Sequence, residues 1–202
     1  FFSTSSTVEY LASSLCEIKD SSKFGTIYAP ILEKEEVKVY RTTTVQAGFG
    51  GKERGDTELG LEKGGVGSYL MFKEDFEKAG LTALATIYCG PDYFQAHKEE
   101  VIHKIKNLIL KTKAEVLFAG PCFNYGTYAQ MAAEIALAIQ EQTDCKPYVI
   151  CSKENEDTIA AYKDKVVMLE MPKKGGVGLR EALGGAVAII SGTKDESEQR
   201  FQ

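Results

Sequence analysis

The sequence predicts an α/β fold: a mostly parallel sheet with helices on both faces, Rossmann-like or flavodoxin-like in its three layers, with an N-terminal helical extension. Three observations carry this. From Leu70 onward, short apolar runs alternate with amphipathic helical patterns, the order of a right-handed parallel sheet. The clearest run, Glu115–Ala119, is continuous rather than alternating, as in a strand covered on both faces. Two of the runs end in loops rich in Gly, Pro, Asn and Tyr, Thr86–Phe94 and Ala119–Ala129, and a helical pattern follows each. In a parallel sheet such loops open at the carboxyl edge of the strands, where these folds bind ligands.

The elements follow in order. Ser3–Thr7 supplies N-cap residues, and Val8, Leu11, Leu15 and Ile18 recur at helical spacing, which predicts a helix over Thr7–Lys19. Pro30 argues against a central strand over Phe24–Leu32. Val37–Val45 is β-branched and alternating, a strand. Gln46–Gly67 is glycine-rich and charged, and a loop of that length in a compact domain is usually functional or disordered. Helices are expected over Tyr69–Ala79, Gln95–Lys111, Tyr128–Gln142 and Val177–Ile190. Strands are expected over Thr82–Cys89, Glu115–Ala119, Pro147–Cys151 and Val166–Met171. This divides the chain into an extension over 1–45, an α/β domain over 46–190 and a polar tail over 191–202.

Composition narrows the function. The 202 residues are 44% hydrophobic and 26% charged, enough to bury one full core. A net charge of -5 leaves no basic footprint, so no nucleic-acid partner is expected. No run approaches the roughly 18 apolar residues that span a bilayer, so no membrane span is expected. Five cysteines, an odd count without a CxxC pair, point to a reducing, cytoplasmic compartment. His97 and His103, the two histidines, fall on different faces of one predicted helix, so no metal site is expected.

Several residues are candidates for chemistry. Gly50, Gly51, Lys52, Glu53 and Arg54 can form an anion cradle from successive backbone N–H groups, or a partner contact, or a mobile surface loop. Lys63–Gly67 carries the same ambiguity at a helix start. Cys89 and Cys122 end two buried strands and are either small core hydrophobes or thiols lining one cleft. Tyr93, Phe94, Phe123, Tyr125 and Tyr128 make a dense aromatic set, partly core and partly cleft wall. Asn124, an amide between aromatic residues at a strand end, is the best single candidate for a ligand hydrogen bond. Arg180, in Gly175–Arg180, is suited to clamping a carboxylate, or is a first-turn surface charge.

Taken together, Phe49-Gly50-Gly51 with Glu53 and Asp56, Gly65-Val66-Gly67, TIYCGPDYF at Thr86–Phe94 and AGPCFNYGTY at Ala119–Tyr128 resemble a known family. It is that of the selenoprotein subunit of glycine, sarcosine and betaine reductases and the related D-proline reductase. Glu154-Asn155, Tyr162-Lys163 and Gly178-Leu179-Arg180 add to the likeness, which spans Gln46 to about Ile190. The family's selenocysteine lies in a further domain that this chain does not include, and about forty residues precede the shared region. A short chain starting Phe1-Phe2 is more like the pyruvoyl-bearing subunit of D-proline reductase, released by autocatalytic cleavage of a proprotein.

The resemblance implies a covalent pyruvoyl group immediately before Phe1 and no metal. It implies reductive ring opening of D-proline to 5-aminopentanoate, in a complex with the proprotein's other fragment and a selenocysteine- or cysteine-bearing reductase subunit. Asn124 would be catalytic; Cys89, Tyr93, Cys122, Phe123, Tyr128 and Arg180 would bind the small amino-acid substrate; and Gly50–Arg54 would meet an anion or a partner. The alternatives are a non-catalytic scaffold domain of such a complex and a generic anion-binding α/β module. Intact mass checks the pyruvoyl expectation: the group is expected as an added mass with a blocked terminal amine, and a free Phe1 amine would contradict it.

Overall fold

The structure, a computed structural model, describes residues 40–46 and 54–202; the predicted helix at Thr7–Lys19 and residues Gly50–Glu53 lie outside them. The strands are β1 (Tyr40–Gln46), β2 (Gly60–Lys63), β3 (Leu81–Tyr88), β4 (Val116–Cys122), β5 (Lys146–Ser152) and β6 (Val167–Met171). The helices are α1 (Lys73–Lys78), α2 (Pro91–Ala96), α3 (Lys98–Thr112), α4 (Gly126–Gln142), α5 (Glu156–Tyr162) and α6 (Leu179–Ile190). They build a six-stranded sheet in the order β2-β3-β1-β4-β5-β6, parallel except for β2. The three-layer α/β expectation is met.

The two faces of the sheet are covered by different chemistry. Beneath α3 and α4 lie Val101, Ile105, Leu108 and Ile109 with Met131, Ile135 and Ile139, against Val45, Ile87, Leu117 and Val149. Their i, i+3/i+4 spacing is what makes both helices amphipathic. Under α1 and α6, Phe72, Phe76 and Phe118 form an aromatic knot, with Phe72 and Phe118 rings 4.5 Å apart. Pairs of this kind contribute about 0.5–1.5 kcal/mol each beyond their buried area.

Where the elements depart from expectation, a local reason is visible. The long loop over Gln46–Gly67 contains β2, which its sequence GLEK does not announce; it becomes a strand by pairing antiparallel with β3, Gly60 opposite Tyr88. The Tyr88 ring lies over Gly60, where a Cβ would come within 2.1 Å of it. The turn after β2 is pinned by Thr86, whose hydroxyl donates to the Gly64 carbonyl and accepts from the Val66 N–H. The helix expected over Tyr69–Ala79 splits into a 3₁₀ turn, Gly67–Met71, and α1. The one expected over Gln95–Lys111 is two, broken at His97, with Pro91 opening the first. Strand β4 runs past Ala119 to Cys122; Pro121 is tolerated there because the ladder to β5 shifts between Ala119 and Cys122. Helix α5 had no apolar signature, since Thr158 is its one buried residue.

The polar C-terminal stretch lies along β6. Glu170 donates its N–H to Gln199, Phe201 donates its own to Met168, and Gln199 Nε2 bonds the Glu170 and Ala182 carbonyls. This satisfies a sheet edge that would otherwise present unpaired backbone groups.

Glu134 on α4 ties three helices together. Its carboxylate, on a side chain 9% exposed, sits 2.9 Å from Lys98 Nζ and accepts from Gln130 and Tyr162. Burial pulls this carboxyl upward, but the hydrogen bonds from Lys98 and Gln130, the Lys98 charge and the Tyr162 hydroxyl outweigh it, and it titrates below its ordinary value. A depressed carboxylate contributes stability that is present above its unfolded pKa and lost as pH falls through the folded one. Glu134→Gln is therefore expected to cost about 1 kcal/mol at neutral pH. In urea melts the difference from wild type should shrink as pH falls below the ordinary glutamate value of about 4.3, and a constant difference across pH would refute this reading.

Candidate functional site

β1 is the strand at which the strand order switches sides: the chain places β3 on one side of it and β4 on the other. Open α/β sheets form their crevice at the carboxyl end of such a strand. The two motif loops, Cys89–Phe94 after β3 and Cys122–Tyr128 after β4, therefore open at one edge and flank the end of β1. Tyr128, buried at the start of α4, donates its hydroxyl to the Val45 carbonyl at 3.1 Å and so ties the second loop's helix to that end.

The first loop is closed by residues 55–57, which pack on it ahead of β2. The Gly55 carbonyl accepts from the Asp92 and Tyr93 N–H groups at 2.9 and 3.1 Å, and Gly90 donates to Thr57 at 2.7 Å. Gly90 has to be glycine here, because a Cβ would meet the Gly55 carbonyl oxygen at 2.1 Å. This seats Arg54 at the first loop, exposed and 3.5 Å from Asp56. Of the predicted cradle, Arg54 is the described member; Gly50, Gly51, Lys52 and Glu53 lie outside the described residues. Tyr93, half-buried, stacks on His97 with ring centroids 4.4 Å apart. Burial, reinforced by Glu100, raises its phenol above the ordinary value.

The second loop hangs on Asn155, 4% exposed in the turn after β5. Its Nδ2 lies 3.2 Å from the Cys122 carbonyl, 2.9 Å from that of Phe123 and 3.2 Å from that of Ser152. Carbonyls only accept, so the amide orientation is set, and Oδ1 is left buried without a hydrogen-bond partner among the described residues. Sequence reasoning included Asn155 in the resemblance but not among the site residues. An Asn ahead of a polar helix reads as an N-cap, yet this one makes no capping bond and turns inward.

The model of the glycine/sarcosine/betaine reductase selenoprotein B family matches residues 37–199. The chain belongs to this family. Among curated relatives, it is 28% identical over 120 residues to the betaine reductase complex component B subunit beta of Peptoclostridium acidaminophilum, covering 59% of this chain and 27% of the relative. It is 26% identical over 141 residues to the glycine reductase complex component B subunit gamma of Carboxydothermus hydrogenoformans, covering 70% of this chain and 32% of the relative. The chain thus spans about a third or less of the length of these relatives. No solved structure matches it.

In this member of the selenoprotein B family the sequence-singled residues divide into two groups. Asn124 is exposed at the crevice mouth, with Phe123 and Tyr125 half-buried beside it. Cys89, Cys122 and Tyr128 are buried behind the loops. Burial pushes the Cys89 and Cys151 thiols up to about 12. It also holds Cys122 well above its usual range, with Cys151 adding to the effect. All three are protonated at neutral pH and are poor nucleophiles.

Arg180, at the start of α6, is already paired: it contacts Asp75 closely and lies 3.8 Å from Glu74, both on α1. A substrate carboxylate would have to displace Asp75 to be clamped there. Among the described residues no His/Cys/Asp/Glu cluster could hold a metal, and no helix is long and apolar enough to cross a membrane.

Removing the Asn155 amide takes a side-chain donor from the Cys122, Phe123 and Ser152 carbonyls, so Asn155→Ala is expected to cost about 2 kcal/mol. That reads as roughly 5 °C in melting temperature for a domain of this size. Iodoacetamide should label Cys89, Cys122 and Cys151 faster in this variant than in wild type; unchanged stability and labelling would show that Asn155 does not hold the loop.

Proposed function

We propose that this chain is the substrate-binding part of an amino-acid reductase complex that opens D-proline reductively to 5-aminopentanoate. The observation that supports it is a division of side chains: Asn124 in the second loop and Arg54 beside the first are exposed, and the thiols behind the loops are buried and protonated. A site whose described residues offer an amide and a guanidinium but no exposed thiol suits a substrate that is held here and attacked from outside. The relatives named as components of glycine and betaine reductase complexes support the reaction class.

The roles follow from the side chains. Arg54 binds the carboxylate of the amino acid, exchanging its loose contact with Asp56 for a bidentate one. Asn124 donates an amide hydrogen bond to a carbonyl oxygen, a neutral donor that leaves the substrate nitrogen free. Tyr93, stacked on His97, and the half-buried Phe123 form a wall that limits water. A covalent pyruvoyl group, when present, would supply an electrophilic carbonyl that draws electrons from the ring nitrogen, and the Asn124 amide is the donor that would hold its oxygen. The selenolate or thiolate of a partner subunit attacks Cα, and the Cα–N bond breaks with its electron pair going to nitrogen, which takes up a proton. A second thiol then attacks the selenium or sulfur, forming a selenenyl sulfide or a disulfide bond. The Cα–Se or Cα–S electron pair returns to Cα, which is protonated. The sum is two electrons and two protons per ring opened.

Activity of the complex reconstituted with its partner subunits tests this. Arg54→Gln is expected to raise KM for D-proline about tenfold with a smaller change in kcat, and Asn124→Ala to lower kcat. A complex that reduces glycine or betaine but not D-proline would overturn the substrate, and D-proline turnover by this chain with a dithiol alone would overturn the need for a partner. If neither substitution changes activity, the chain is a scaffold within the complex.

A further inference from the structure

We propose that Cys122 and Cys151 are a cross-strand dithiol that closes reversibly to a disulfide, a modification site that stands independently of the reductase reading. The two residues, far apart in sequence, are register partners at the carboxyl ends of β4 and β5. Both are fully buried in the same core cluster, the one under α3 and α4, so their side chains leave the sheet on one face. Neighbouring strands lie about 4.8 Å apart, inside the roughly 4.4–6.8 Å between Cα atoms that a disulfide bridges. The other described cysteines do not meet this pair: Cys89 follows β3, two strands from β4, and Cys145 precedes β5 at the opposite edge of the sheet.

The chemistry balances with a small thiol oxidant, an azo compound or a low-molecular-weight disulfide. Two S–H bonds break and one S–S bond forms, with two electrons and two protons passing to the oxidant. Cβ atoms of a relaxed disulfide sit about 3.8 Å apart, so a bond closed across two strands held at their ladder spacing is strained, and a strained disulfide is easily reduced again.

Closure also reaches the site. Asn155 Nδ2 lies 3.3 Å from Cys151 Sγ while it holds the Cys122 and Phe123 carbonyls. Moving that sulfur disturbs the amide on which the Phe123–Tyr125 turn hangs.

The test treats the full chain with diamide, then alkylates it under denaturing conditions and maps its peptides. A linked Cys122–Cys151 peptide pair that dithiothreitol releases is the expected result. Amide exchange at Phe123–Tyr125 and Asn155 should change about tenfold while that of α3 does not. Cys151→Ser should remove the linked pair, and Cys145→Ser should retain it. Should Cys151→Ser fail to fold, the wild-type map decides alone. Recovery of both thiols alkylated, at an oxidant excess that links cysteines of the same protein in urea, would overturn the proposal. So would Cys122 linked to any other cysteine.

Discussion

The placement of β1 between β3 and β4 is the constraint on which the rest of this structure depends. Its middle residues, Thr42 to Val45, are buried, and both of its edges carry a parallel partner. A strand so enclosed can only continue by leaving at its carboxyl end. β2 lies beyond β3 in that order, and ahead of it residues 55–57 pack on the first motif loop, with Gly55 against Gly90. The site is a consequence of strand order before it is a matter of side chains.

Two kinds of hydrogen bond then stiffen the crevice. Backbone amides of the first loop are spent on Gly55, which makes that loop part of the scaffold rather than an open nest. The second loop relies on side chains: Tyr128 reaches the end of β1, and Asn155 gathers carbonyls from the ends of β4 and β5. Buried amides of this type are worth most when every partner is present, because the low local dielectric strengthens each bond and penalises each loss. The unpaired Oδ1 of Asn155 is the one exception among its polar atoms.

Membership of the selenoprotein B family and the burial of the thiols bear on each other. The motif cysteines look like nucleophiles in a list of residues, yet Cys89 and Cys122 are among the best-sheltered atoms of the sheet. Desolvation disfavours the thiolate, and among the described residues no cation lowers either thiol. The same reasoning removes Arg180 as a ready clamp, since Asp75 already neutralises it. What the described residues turn outward at the two loops is polar and charged: the Asn124 amide, Arg54, and the Asp56 and Asp92 carboxylates.

Much of this was legible without coordinates. Continuous apolar runs such as Glu115–Ala119 and the helical spacing of Val101, Ile105, Leu108 and Ile109 depend on burial alone, and burial periodicity is written directly into residue order. The two motif loops were placed at the carboxyl edge by the same logic. Elements stabilised by partners distant in sequence were not legible: β2 is a strand because β3 lies beside it, and the C-terminal stretch is ordered because β6 offers an edge. The inward turn of Asn155, the commitment of Arg180 to Asp75 and the meeting of Cys122 with Cys151 belong to the same class. Each is a contact between residues far apart in the chain, and local propensity carries no information about which distant neighbour will arrive. The sequence by itself determined the layers, the strand direction and the loops that matter; the tertiary structure decided which of their side chains are spent inside and which are left to act.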